Sequence, residues 1–271
     1  MMPPAVRRLG AYSAILSARF RSLLQYRAAA AAGIGTQLFW GLIRVMIFAG
    51  FYASSDAPQP MTFPQVVTYI WLGQATIRLL IWRGDADVQR MIRTGTVAYE
   101  LIRPVDLYGL WFSRSVANLA APTVLRAVPM FLIAGLLLGM QAPASWGAGA
   151  AYVLAMAMAV LLAAGMATLL TISLLWTISG EGISRLLPAM VWCLSGMILP
   201  LPFFPEWLQP VLRVLPFRGM MDVPFRIYLG HIGPGQWLGA LGHQAAWTLV
   251  MVALGRWLLA RGKRRLVVQG G

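Results

Sequence analysis

Apolar and polar positions alternate along this chain on the scale of whole helices rather than residue by residue. From Gly33 to Tyr52 runs a stretch of about 20 mostly apolar residues, enough at 1.5 Å per residue to cross a hydrocarbon layer of ~30 Å. Comparable stretches follow over 66–82, 116–140, 148–178, 186–200 and 236–259, and together they predict six spans. Pro122 and Pro129 in the third predict a bent or broken helix. The fourth is rich in Ala, Gly and Met and carries no charge, which suits close packing through small residues. At about 15 residues the fifth is short for a full crossing, so 201–235 must continue it. There Pro202, Pro205, Pro210, Pro216, Pro224 and Pro234 interrupt an apolar, aromatic sequence. Proline rules out a straight spanning helix and the apolar content rules out a free loop, which leaves short re-entrant helices over 203–230 in the outer leaflet. Ahead of the first span, Leu9, Tyr12, Leu16, Phe20 and Leu23 recur at spacings of three or four within 5–28, with Arg7 and Arg21 on the opposite side. That pattern predicts an amphipathic helix, lying in the membrane interface among anionic lipid headgroups or packed in water on a neighbouring domain.

Composition agrees with this pattern. Hydrophobic residues make up 59% and charged residues 11% of the 271, against roughly a quarter charged in a soluble domain, and mean hydropathy is +0.70. The fold class is all-α integral membrane, with 1–271 as a single transmembrane domain. A net charge of +14 raises the question of nucleic acid. The basic residues, however, fall in blocks between apolar runs instead of one patch interleaved with aromatics, so no nucleic-acid partner is expected. Topology explains the charge: five basic residues lie in the N-terminal segment, five in 83–115 and four in the tail, and none in the loops Ser54–Pro60 and Gln141–Gly147. Lys and Arg gather on cytoplasmic loops, which puts both termini in the cytoplasm of a multi-pass chain. Trp40, Trp82, Trp111, Trp146, Trp207 and Trp237 fall near span ends and read as interface anchors. The N-terminal segment has no short apolar core with a small-residue cleavage site, so it is expected to be retained. Cys193 is the single cysteine, and no CxxC or His-rich spacing suggests redox or metal chemistry.

The most polar interior stretch is 83–104, which with Asp106 holds half of the eight acidic residues and predicts a solvated platform between spans. Asp85 is placed to cap a short helix through Arg93, with Asp87 in its first turn and Arg90 and Arg93 in its last, the order that the helix dipole favours. Gly95 then turns the chain, and Pro104 stops the segment beyond that turn. An ordinary solvated loop helix would show the same caps and charge order. Within the spans stand Arg44, about eight residues from an outer end, and Arg126, about ten from an inner end, with no Asp or Glu in the core of any span. An unpaired charge there costs at least ~2.5 kcal/mol. Two readings stand: the pair faces a transport path or a partner subunit and binds an anionic group, a lipid phosphate or a peptide carboxylate, or it is absorbed by helix carbonyls, Gln37, Gln74 or Asn118, or by snorkelling. Ser195 and His243 could in principle form a protease dyad, but Cys193-Leu194-Ser195-Gly196 lacks the expected glycine two residues ahead of the serine, and both are expected to be hydrogen-bonded helix residues. His231 reads as a loop residue. No P-loop and no soluble domain are present, so the chain is expected to carry no catalytic site.

The order of a basic interfacial helix, two spans, Arg90-Met-Ile-Arg-Thr-Gly-Thr-Val-Ala-Tyr-Glu-Leu-Ile-Arg-Pro-Val105, three spans interrupted by Leu199-Pro-Leu-Pro-Phe-Phe-Pro-Glu-Trp-Leu208 and Leu215-Pro-Phe-Arg218, and an ending in Gln269-Gly270-Gly271 resembles the type-2 ATP-binding-cassette (ABC) exporter permeases. It is similar in particular to a bacterial branch of permeases with that Gln-Gly-Gly ending. The resemblance covers nearly the whole chain and implies a permease of the bacterial inner membrane. It makes 84–94 the coupling helix, with Asp85, Asp87, Arg90 and Arg93 against cytoplasmic ABC ATPase subunits. By the same resemblance, 5–28 is the connecting helix and 203–230 the re-entrant segment. ATP and Mg would bind the partner ATPase and not this chain. A second permease, as a homodimer or a paralogous heterodimer, would complete the path. The residues select no substrate among lipid, peptide, antibiotic and drug. The alternative, a stand-alone secondary carrier or channel, would need coupling-ion carboxylates within the membrane.

Overall fold

A computed structural model describes residues 10, 14, 16–22, 27–55, 57–81, 83–102, 105–177 and 181–263. The described part of the N-terminal amphipathic segment, residues 10, 14 and 16–22, is helical. The expectations for Trp82, Pro104, the turn at 178–180 and the tail from Arg264 lie outside the described residues. Ten α-helices come after that segment: α1 (Arg27–Ser54), α2 (Phe63–Thr76), α3 (Ala86–Arg93), α4 (Ala98–Leu101), α5 (Leu107–Leu137), α6 (Trp146–Ile172), α7 (Glu181–Leu194), α8 (Gln209–Val214), α9 (Asp222–Tyr228) and α10 (Pro234–Gly262). Single turns of 3-10 helix extend α2 and α6 and punctuate the stretch between α7 and α9.

Among the described residues four helical stretches are long and apolar enough to cross a membrane: Ala32–Ser54, Leu107–Leu137, Trp146–Leu175 and Pro234–Gly262. The other two expected spans, 66–82 and 186–200, form α-helices of 14 residues each, α2 and α7, about 21 Å at 1.5 Å per residue and short of a hydrocarbon layer. Their boundaries also move. The third expected span starts at Leu107 instead of 116 because Asp106 caps its helix, accepting from the Gly109 amide at 2.9 Å. It runs unbroken past Pro122 and Pro129. Residues 201–228 form a chain of short helices.

The interior is organised on α2 and α6. Every residue of α2 from Val66 to Thr76 is buried, between α1, α5, α6 and α9. Helix α6 packs on α5, α9 and α10 through a buried series of small residues that includes Ala151, Ala155, Ala159, Ala163 and Gly165, which lets backbones approach closely. Gln244 of α10, fully buried, donates to the carbonyls of Ala155 in α6 (2.9 Å) and Gly219 (2.7 Å) and so ties three elements together. The loop after α5 is closed in the same way: Trp71 donates to Leu138 O (3.1 Å), Thr68 accepts from Gln141 N (2.9 Å), and Tyr228 donates to Gln141 O (2.8 Å).

Gly196 holds the sharp turn after α7 at φ +91°, with its α-carbon against the Tyr69 hydroxyl where a side chain would stand. Gly196→Ala should therefore lower stability by at least ~1–2 kcal/mol through left-handed backbone strain alone. Gly242→Ala, in the interior of α10 with open space around it, should be neutral or slightly stabilising. Thermal unfolding of the detergent-solubilised variants measures both.

Candidate functional site

The short polar helix α3 is built from its first residue. Asp85 caps it, its Oδ1 accepting from the amides of Asp87 (3.0 Å) and Val88 (3.2 Å), while its own amide donates to Thr171 Oγ1 on α6 (3.0 Å). Gly84 permits that approach, since a Cβ there would come within 2.6 Å of Thr171 Oγ1. Asp87 stands in the first turn and Arg90 and Arg93 in the last, and Gly95 at φ +74° reverses the chain.

The platform is not solvated throughout, which corrects the expectation from its composition. Asp85 and Glu100 are buried, and both face Arg114 of α5. Arg114 donates to Asp85 (3.0 and 3.4 Å) and to Asp87 (3.4 Å), and lies 3.7 Å from Glu100. Asn118, one turn further along α5, donates to Asp85 at 3.2 Å and accepts from Arg19 at 3.1 Å; Arg19 in turn donates to Asp87 at 3.1 Å. Arg19, Asn118, Asp85, Arg114 and Asp87 thus close a ring that joins the N-terminal helix, α3 and α5. Glu100 is completed by the Trp111 indole N–H at 2.7 Å. Trp111 is consequently a core residue and not the interface anchor expected of it, whereas Trp146 and Trp207 are exposed. Beneath the ring, Val88 is fully buried in a cluster with Leu107, Tyr108, Trp111, Ile172 and Leu259, so α3 rests on the ends of α5, α6 and α10. A cavity of about 460 Å³ opens beside the ring, lined among others by Arg19, Arg78, Arg83, Asp85, Asp87 and Asn118.

Arg44 and Arg126, the two arginines expected within the spans, come together from α1 and α5 on one cavity of about 580 Å³, joined by Arg78 from the turn after α2. Gln37 and Gln74 line it as well. Asn118 is committed to the ring and is no partner for Arg126. Ser195 and His243 do not meet: Ser195 Oγ accepts from the Met197 amide (3.3 Å), and His243 Nε2 lies 3.2 Å from Val214 O.

The profile of the ABC-2 family transporter proteins matches residues 38–270, taking in α2 to α10 and most of α1. The chain belongs to this family. Comparison with curated proteins and with solved structures gave no match. Membership makes the chain a membrane component, a permease of an ABC transporter, and such permeases work with an ATPase subunit. Of the residues that resemblance assigns to contact with that subunit, Arg90 and Arg93 are exposed, Asp87 is half-exposed but paired, and Asp85 is turned inward. Reading the sequence missed Arg114, Arg19 and Asn118 as members of the site, and Arg78 as a neighbour of Arg44 and Arg126. Arg114 had a signal: it stands eight residues beyond the Asp106 cap, between Trp111-Phe112 and Val116, on what becomes the first turns of α5.

Removing the hub should be costly. Arg114→Gln leaves Asp85 and Glu100 buried without their shared cation, a loss of about 3–5 kcal/mol, and Arg114→Lys should restore only part of it because a point charge replaces a fork. A lowered thermal midpoint together with new protease cleavage within 83–102 is the expected result.

Proposed function

We propose that this ABC-2 permease serves an ATP-driven exporter and that α3, with the turn and short helix after it, is the surface on which a separate ATPase subunit acts. The observation that carries the reading is the division of α3 into two faces. Val88 is sealed against α5, α6 and α10, while Ala86, Arg90, Arg93 and Thr94 stand on the exposed side. Next to them Tyr99 is 70% and Ile102 80% exposed. Two large apolar side chains beside two exposed cations, on a stretch outside the long apolar helices, suit a protein surface with its own apolar patch and acidic rim. In this reading the contacts fall on Arg90, Arg93, Tyr99 and Ile102, whereas Asp85 and Asp87 hold the helix in place. A push on the exposed face would pass through Val88 to the ends of three helices at once, because a close-packed interior transmits displacement instead of absorbing it.

The rest of the arrangement extends the proposal. Six spans result if α2 with its 3-10 turn and α7 with the turn beyond it complete the four long helices, with α8 and α9 re-entrant from the outer side. Both termini then lie in the cytoplasm of a bacterial inner membrane, in keeping with the basic residues of the N-terminal segment, the platform and the tail. ATP and Mg would be handled on the partner ATPase, and a second permease, identical or paralogous, would face this one.

The triple variant Arg90→Glu, Arg93→Glu, Tyr99→Ser should insert and fold as the parent does, yet retain its co-expressed ATPase subunit at least tenfold less well on purification. Undiminished retention would sink the assignment of this face. So would a parent chain that transports after purification free of any ATPase.

A further inference from the structure

The ring around Arg114 satisfies its charges; the cavity at Arg44, Arg78 and Arg126 does not. Among the described residues no carboxylate lies within ion-pairing distance of any of these three arginines, and no hydrogen bond satisfies their guanidinium groups. Arg78 Nε is buried with no partner. The side chains of Gln37 and Gln74, 5% and 2% exposed, also line this cavity, and the amide oxygen of each is buried without a hydrogen bond. Turning either amide over would present its N–H₂ group at the same point. Three cations and two rotatable amides thus line one space, Arg126 against Gly33 and Arg44 eleven residues further along α1, and each unpaired charge and unsatisfied buried polar atom there is costly.

We infer that this cavity is a binding site for the phosphate group of an anionic phospholipid. Guanidinium groups along the wall of one cavity match a tetrahedral anion with several acceptor oxygens better than they match a single carboxylate, because each fork offers two parallel N–H donors. A volume of about 580 Å³ is that of a small-molecule site and admits a glycerophosphate headgroup. The same cavity supplies a way out for the acyl chains. Trp40 lines it and is 56% exposed, and the surface of α1 continues beyond Trp40 through exposed Met46 and Ile47. Headgroup and tails therefore have separate, chemically matched places. Arg78 lines this cavity and also the one beside Arg19, Asp85 and Asp87, so the two cavities adjoin at one guanidinium group. Gly33 makes room for the site: a Cβ there would stand 2.7 Å from the Arg126 guanidinium carbon.

The inference depends on the membrane reading and not on the assignment of α3 to an ATPase, so its test needs no partner subunit. The full chain, stripped of lipid in detergent, is titrated with phosphatidylglycerol, with phosphatidylcholine of the same acyl chains, and with inorganic phosphate, and bound lipid is counted by native mass spectrometry. Phosphatidylglycerol should bind at least tenfold more tightly than phosphatidylcholine, and inorganic phosphate at millimolar concentration should not displace it. Arg44→Gln, Arg78→Gln and Arg126→Gln should each weaken phosphatidylglycerol binding about tenfold or more, the worth of one charged hydrogen bond, and the corresponding Lys variants should recover part of the loss. Gly33→Ala, which shifts the tip of Arg126 while keeping every charge, should weaken it a few-fold even where a Gln variant fails to fold. Lys263→Gln, at an exposed basic residue away from the cavity, should leave binding unchanged. Equal binding of the two lipids, or parental binding by the Arg and Gly33 variants, overturns the site. Displacement by inorganic phosphate reduces it to a plain anion site and overturns the lipid assignment.

Discussion

Arg114 is the interaction on which the polar half of this molecule depends. Two carboxylates, those of Asp85 and Glu100, are buried, and a buried carboxylate left without a partner held in fixed geometry is strongly destabilising. Arg114 supplies it from the first turns of α5, and its planar fork reaches Asp85 and Asp87 while its remaining nitrogen lies near Glu100. Each of these acids has a second task. Asp85 caps α3, Glu100 receives the Trp111 indole, and Asp87 receives Arg19. Consequently the orientation of α3, the packing of the turn after it and the seat of the N-terminal helix all depend on one guanidinium group. A charge network that is fully satisfied is rigid. Rigidity is what an element needs if it is to carry displacement from one side of a protein to another.

The contrast with the other cluster of arginines is informative because both are built from the same elements. Arg114 and Arg126 stand on α5 twelve residues apart. Around the first stand three acids, and an asparagine and a tryptophan donate to two of them. Around the second, the neighbours are Arg44, Arg78 and two glutamines, and donors outnumber anionic acceptors. Folding alone gives no reason to line one cavity with three cations and no acid, since desolvation opposes it. The fold accommodates them with glycine at Gly33 and with a cavity instead of packed side chains. An internal structural role would have supplied an acid; a ligand site leaves that place for the ligand.

Long helices were legible in the sequence because twenty or more apolar residues leave few other structures open, and the four such helices of the structure lie where the apolar runs predicted them. The cap at Asp85 and the turn at Gly95 were legible too, since both rest on local chemistry. The start of α5 was not. Leu107 to Ser115 contains Tyr108, Ser113 and Arg114, so hydropathy placed the boundary at 116, although Asp106 is a cap and Leu107, Leu110 and Trp111 share a buried face. The burial of Asp85 and Glu100 was illegible for the same reason: their cation lies on a segment read as loop. Arg78 illustrates a further limit. Snorkelling and facing a cavity need the same residue at the same depth, and only the neighbours decide between them.

The packing of α6 determines how far a displacement at α3 would travel. Thr171 and Ile172, at the end of α6, meet Asp85 and Val88. Near its other end α6 meets α9 through Ala151, Ala155, Val223 and Ile227, and Gln244 fastens α10 to its middle. Small side chains make these contacts nearly backbone to backbone, so they have little side-chain freedom with which to take up strain. Helix α1 is held differently. It packs on α2 and α5, and most of its apolar surface is exposed. Movement that α6, α9 and α10 share as a body would therefore be expressed as a change in their relation to α1, which lines the cavity of Arg44, Arg78 and Arg126 together with α2 and α5.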